Sequence, residues 1–302
     1  MIHIKPISRS CNIELRTMLP PSDLDCLGDG AFNMALDQVL FESFEGQIPC
    51  LRFYCFEHAT VSVPLRFNGA QISTEQLKKH GVRICKRISG GKYLLHQLGL
   101  TYAILIPKNH GYIRGLDIKS SYRKLSLPIL KALRNFDRTV DFIKCERAPA
   151  DNYDCSLESE VESIGLNGAK FVGSAQKRSR DVVLQHGEIQ LCSSALGLGQ
   201  LLSQHNPNSS KGLDKVCLDS ISDDDNFLVW QERKPNSELS LTRESVARKI
   251  LQEFEKVFGK SYSFQLESTF INHAMERRKD FQLNTLESKN FQPRQLCWRQ
   301  SG

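Results

Sequence analysis

Residues 155–176 read CSLESEVESIGLNGAKFVGSAQ: a cysteine, a lysine fifteen residues on, and Gly-Ser-Ala shortly after it. A lysine ammonium beside a cysteine favours the thiolate, and the thiolate is the nucleophile. Cys155 and Lys170 are therefore either a nucleophile and its helper or two unrelated residues around a hairpin. Asn167-Gly168 is a strong hairpin signal, because both central residues tolerate positive φ. A turn there sets residues 161–166 against 170–175. Cys155 precedes the hairpin, so its loop must fold back to reach Lys170; the spacing permits this without demanding it.

A second group of residues clusters at RISGGK, 87–92. Adjacent glycines let a backbone approach a ligand closely and aim amides at an anion or carbonyl, with Arg87 and Lys92 flanking. The alternative is a plain turn between two strands. The spacing matches neither the P-loop nor the Rossmann pattern. His96 follows, and His186 lies in QHGE. A lone histidine serves more often as a hydrogen-bonded structural residue than as a catalyst.

Those residues need a scaffold, and the composition allows one. The chain has 302 residues, 40% apolar and 25% charged, which is ordinary for a globular protein. Its longest apolar runs, such as TYAILI, fall far short of a membrane span. The N-terminal residues include no apolar run of signal-peptide length, so a cytoplasmic location is expected; sparse acidic residues leave organelle targeting open. The ten cysteines show no C-x-x-C pair and no zinc-site spacing, so no metal is expected and most read as small buried hydrophobes. A net charge of +6 is modest, and basic residues do not interleave with aromatics, which argues against nucleic acid.

The periodicity predicts a helix over 29–46 capped by Asp29, with Met34, Leu36, Val39, Leu40 and Phe44 on its apolar side. CLRFYCF and ATVSVPL read as strands, the first placing Leu51, Phe53 and Cys55 on one face. STEQLKKHG is a short helix from Ser73 to Gly81, followed by strand, glycine turn and strand through residue 107. A longer helix covers 119–136, with Pro128 expected to kink or break it. VVLQHGEIQL is a strand expected to be interrupted at Gly187. An amphipathic helix runs from the Thr242 cap to Gly259, while 260–302 show little periodic pattern and read as a tail packed on the domain. Strands alternating with helices predict an α+β (mixed α/β) domain with mixed β-sheets packed with helices.

Four segments in order resemble the lipoate–biotin protein ligase superfamily, over about residues 24–258. DGAFNMALDQVL is similar to its first helix, and KRISGGKYLLHQLGLTYAI to its R-R-x-[ST]-G-G-x-x-x-x-H-D turn. NGAKFVGSAQKR and VVLQHGEIQL resemble its lysine-bearing hairpin and the next strand. The resemblance implies an extension at 1–23, a catalytic domain at 24–259 and a tail at 260–302. It implies that Lys170 is the active-site lysine, that Arg87, Ser89, Gly90, Gly91 and His96 form the turn beside an acyl group, and that Gly173, Ser174 and Ala175 form the wall after the lysine.

Within the superfamily, Cys155, Gly168, Lys170 and Gly173 resemble the cysteine-dependent octanoyltransferases found in many Gram-positive bacteria. That likeness implies an acyl-enzyme on Cys155, an acyl carrier protein as donor and a lipoyl-domain or glycine-cleavage H-type protein as acceptor, with no cofactor and no membrane. Lipoate-protein ligases, which use ATP and Mg²⁺, tend to have Asn-Asp before the hairpin and a third glycine after the serine; here stand Glu162-Ser163 and Lys92. Against the family pattern, the acidic residue after the histidine is Gln97. The alternatives are an ATP-dependent ligase in which Cys155 is incidental, or a non-catalytic acyl- or carrier-binding homologue.

Overall fold

The computed structural model describes residues 15–18, 27–66, 72–97, 99–144, 163–167, 169–191, 201, 243–263 and 268–283. Strands β1 (Leu15–Met18) and β2 (Leu27–Gly28) precede helix α1 (Gly30–Glu42), and β3 (Cys50–Phe56) and β4 (Thr60–Pro64) follow. Next come α2 (Thr74–Lys79), β5 (Arg83–Arg87), β6 (Leu94–His96), β7 (Leu100–Pro107) and α3 (Ile118–Leu133). The remainder is β8 (Asp141–Ile143), β9 (Ser163–Leu166), β10 (Ala169–Arg178), β11 (Val182–Ile189), α4 (Arg243–Phe258), β12 (Ser261–Ser263) and α5 (Ser268–Phe281).

The large sheet runs β12-β1-β3-β7-β11-β10-β9-β8, with β2 paired to β3; a small sheet runs β5-β4-β6. Both sheets mix parallel and antiparallel pairs. The large sheet is covered on both faces, which explains why β3 and β7 are buried at every position instead of alternating. Leu51, Phe53 and Cys55 share one face and pack with α3 and α4, as their alternation predicts. Cys50, Tyr54 and Phe56 face the other way, toward Leu36 and Leu40 of α1 and Phe270 and Phe281 of α5. Cys50, Cys55 and Cys85 are buried.

Local chemistry explains most element boundaries. Asp29 caps α1 through the Phe32 amide, and Ser73 caps α2 through that of Gln76. Gly81 and Gly259 follow α2 and α4 at φ +64° and +83°, the left-handed conformation that ends helices. Asn167, at φ +51°, begins the hairpin turn between β9 and β10. Thr242 and Gly168 lie outside the described residues.

Three expectations need correction. First, Pro128 does not break α3, which continues to Leu133. Proline lacks the amide that would bond the Lys124 carbonyl four residues back, and the Tyr112 hydroxyl donates to that carbonyl instead, at 2.9 Å. Second, β11 passes through Gly187 uninterrupted. Gly187 lies opposite Ser174, and a Cβ there would come within 2.5 Å of Ser174 Oγ and closer still to the Gly173 carbonyl, so the glycine permits tight pairing. Third, residues 268–281 form helix α5, which buries Phe270, Ala274 and Phe281. Its apolar stripe is interrupted by Arg278, which turns inward to Asp29 at the cap of α1.

Candidate active site

A cavity opens where α1, the large sheet and the small sheet meet. Met34 of α1, Tyr54 of β3, Thr101 of β7, Gly173–Ala175 of β10 and His186 and Gly187 of β11 form one side. Ser62 of β4, Arg87 of β5, and Leu94 and His96 of β6 form the other. The predicted Arg87, His96, Gly173, Ser174 and Ala175 thus converge from separate elements.

Arg87 explains the shape of the glycine turn. It is 4% exposed, and its Nη1 donates to Ser62 O (2.7 Å) and Oγ (3.2 Å). Its Nη2 donates to the carbonyls of Gly90 (2.9 Å) and Lys92. One planar guanidinium therefore ties the turn to β4, using the fork geometry that a lysine lacks. Gly91 takes φ +91°, and Gly90 and Gly91 are exposed on the turn. They are not among the lining residues.

Two buried carboxylate–imidazole–hydroxyl chains back the cavity. In the first, Asp37 Oδ2 accepts from the Tyr54 hydroxyl (2.7 Å) and from His186 Nδ1 (2.9 Å), and His186 Nε2 meets Ser89 Oγ at 2.6 Å. Arg52 pairs with the other Asp37 oxygen at 2.6 Å. Burial alone would raise the Asp37 pKa, but Arg52 and the hydrogen bonds from His186 and Tyr54 outweigh it and hold the carboxyl below its ordinary range. Burial and the Asp37 charge push the Tyr54 phenol well above its ordinary value, so it remains a donor. Ser89, 1% exposed, thus stands behind the wall as an anchor for His186.

In the second chain, His96 Nδ1 bonds Glu188 Oε2, and His96 Nε2 meets Ser62 Oγ at 2.8 Å. The Gln97 amide and Thr101 hydroxyl also donate to Glu188, each at 3.4 Å. Phe56 stacks on the His96 ring at 4.0 Å and 18°. His186 and Glu188 lie two residues apart on β11, so both side chains leave the same sheet face. The carboxylate that meets His96 thus comes from a strand distant in sequence, β11.

On the adjacent strand, the Tyr102 hydroxyl meets Ser174 Oγ at 2.8 Å and accepts from Gln185 at 3.1 Å, which fixes the Ser174 wall. Lys170 is half-buried earlier on β10, opposite Gly165, and is not one of the residues lining the cavity. A register shift between Lys170 and Val172 changes the strand's facing there. Cys155 lies outside the described residues. Sequence reasoning missed Asp37, Tyr54, Ser62, Thr101 and Glu188, and left His186 as one lone histidine. The carboxylate–histidine pairs join residues 149 and 92 positions apart, so no local spacing could signal them. Among the described residues, no group of three or more His, Cys, Asp or Glu could hold a metal, and no helix is long and apolar enough to cross a membrane.

The family described as "Lipoyl protein ligase A/B catalytic domain" matches residues 29–255. "Octanoyltransferase LipM" of Clostridioides difficile (strain 630) is 26% identical over 262 residues, covering 85% of this chain and 94% of that protein. The protein of the same name from Oceanobacillus iheyensis is 33% identical over 167 residues, covering 54% of this chain and 60% of that one. The match thus spans nearly all of the first relative and about three fifths of the second. Among solved structures, lipoate-protein ligase A bound with ATP superposes with a TM-score of 0.62 at 18% identity, covering 88% and 94% of the two chains. The bipartite lipoate protein ligase of Thermoplasma acidophilum, described with its E2 lipoyl domain, gives 0.60 at 19% identity, covering 89% and 92%. At those identities the likeness is one of fold. The family's sequence pattern covers the cavity elements from α1 to β11, and the chain belongs to the lipoyl protein ligase A/B catalytic domain family.

Proposed function

We propose that this protein is an octanoyltransferase of protein lipoylation, acting in the cytoplasm. It moves an octanoyl (or lipoyl) group from an acyl carrier protein thioester to a lysine of a lipoyl-domain or glycine-cleavage H-type protein. The Cys155 thiolate attacks the thioester carbonyl, the carrier thiolate leaves, and the acyl chain rests as a thioester on Cys155. Lys170 favours the thiolate and the charge developing on the carbonyl oxygen. The acceptor lysine then resolves the acyl-enzyme.

The observation that carries this reading is the strand register beside the cavity. Ser163 begins β9 eight positions after Cys155, and Ile164 pairs with Val172, next to the cavity residue Gly173. Eight residues span at most about 29 Å when extended, a length compatible with Cys155 acting at the cavity. The relatives bearing the octanoyltransferase name, one aligned over 94% of its length, support the acyl group and reaction class.

The test is intact-protein mass spectrometry after mixing the purified chain with octanoyl-acyl carrier protein and no ATP. An octanoyl adduct is expected that hydroxylamine removes, that maps to Cys155 and that Cys155→Ala abolishes. Acylation of a lipoyl domain only when lipoate, ATP and magnesium are present, undiminished in Cys155→Ala, would instead make the protein a ligase. Binding of the carrier without turnover under either condition would make it a non-catalytic homologue.

A further inference from the structure

The Glu188–His96–Ser62 chain has a direction that its hydrogen bonds assign. The Glu188 carboxylate accepts from the Gln97 amide and the Thr101 hydroxyl, so it accepts from His96 as well, and the hydrogen sits on Nδ1. In the neutral ring, Nε2 is then an acceptor. Arg87 Nη1 donates to Ser62 Oγ, which leaves the Ser62 hydrogen for His96 Nε2 at 2.8 Å. Ser62 and His96 both line the cavity. The order is therefore hydroxyl at the cavity, imidazole behind it, carboxylate at the back.

The Asp37–His186–Ser89 chain ends differently. Arg52 already neutralises Asp37, and Ser89 is not a lining residue. A proton taken from the cavity gains nothing comparable there. On the His96 side, the imidazolium that forms would face the Glu188 carboxylate directly, in a site where Phe56 stacks on the ring and excludes water.

We propose that Ser62, His96 and Glu188 are the proton relay for the second half of the reaction, taking the proton from the incoming lysine amine. This rests on the transferase reading above. The amine nitrogen attacks the thioester carbonyl, the bond to Cys155 sulfur breaks and an amide forms. As this happens the amine proton passes to Ser62 Oγ, and the Ser62 proton passes to His96 Nε2. Glu188 compensates the imidazolium. The proton then returns through Ser62 to solvent, and Cys155 is left as the thiolate that began the cycle. Overall, one proton leaves the amine and one is taken up by the released carrier thiolate. Ser62 touches the reacting amine, whereas His96 and Glu188 act through it.

The experiment separates the two halves in the full-length chain. The protein is acylated with octanoyl-acyl carrier protein, freed from donor, and mixed with apo lipoyl domain; the adduct is followed by rapid-quench mass spectrometry. In Ser62→Ala and in Glu188→Gln, which is isosteric, the adduct still forms, while transfer to the lysine falls by roughly a hundredfold, the scale of a lost general base. Hydroxylamine is a small, weakly basic nucleophile that can lose its proton to water or buffer, so it clears the adduct with far less loss. A structural role would slow acylation, transfer and hydroxylamine clearance together, and that result overturns the relay. So does transfer at the unsubstituted rate in both variants, or an octanoyl group found on Ser62. If the unsubstituted protein takes up no octanoyl group, the transferase reading itself fails and the relay falls with it.

Discussion

At the scale of single residues, the cavity is governed by two carboxylates in unlike surroundings. Asp37 is fully enclosed, paired to Arg52 and bonded to His186 and Tyr54, and its pKa is lowered. A carboxyl with a folded pKa below its unfolded value, about 3.9, contributes stability that is present above that value. The contribution is lost as pH falls through the folded pKa. Asp37→Asn leaves the Arg52 charge buried and unpaired, which costs about 3–5 kcal/mol at pH 7. It also removes the Asp37 share of the acid-side decline. Urea titrations of both proteins from pH 7 down to pH 3 check this: the gap between them should narrow in acid. A constant gap would mean that Asp37 does not titrate as its partners imply.

At the scale of elements, helix α3 shows how one defect is covered by a neighbour. Pro128 removes a helical donor, and the Tyr112 hydroxyl serves the Lys124 carbonyl from outside the helix. Burial raises the Tyr112 phenol to about 12, so it donates throughout the working pH range. Tyr112→Phe should lower stability by about 1 kcal/mol, the net worth of one hydrogen bond. Adding Pro128→Ala supplies an amide to the same carbonyl and should recover much of that loss. Thermal melts of the single and double variants decide it, and a double variant no more stable than Tyr112→Phe refutes the account. Strand β11 has the opposite need: Gly187 must lack a Cβ for β10 to lie against it. Gly187→Ala should cost about 1–3 kcal/mol and displace the Ser174 wall, measurable as a lower urea midpoint together with reduced acyl transfer.

At the scale of the whole molecule, the large sheet is covered by α3 and α4 on one face and by α1 and α5 on the other. The cavity depends on α1 staying seated, because Met34 and Asp37 project from it. Helix α5 holds α1 in place through buried Phe270, Ala274 and Phe281, and through Arg278 on the Asp29 cap. Phe270→Ala should therefore destabilise by about 3–5 kcal/mol. Arg277→Ala breaks a partly exposed pair with Glu42 and should cost less than about 1 kcal/mol. Urea denaturation of the two variants gives the contrast, and equal losses would show that burial on α5 is not what seats α1.

Sequence alone determined what depends on neighbours along the chain. The Asp29 and Ser73 caps, the glycine stops, the Asn167 turn and the strands at 50–56 and 60–64 are local choices of backbone and period, and they are present. The motif order likewise sufficed for the family. Tertiary structure alone decided which polar residues meet. Glu188 reaches His96 because β7, β10 and β11 pair in a register that carries it there, and Tyr112 serves the Lys124 carbonyl across twelve residues. Helix α5 was hidden because its inward Arg278 makes sense only against the Asp29 carboxylate at the cap of α1. A buried charge is tolerated where a partner meets it in space, and that partner has no fixed distance in sequence.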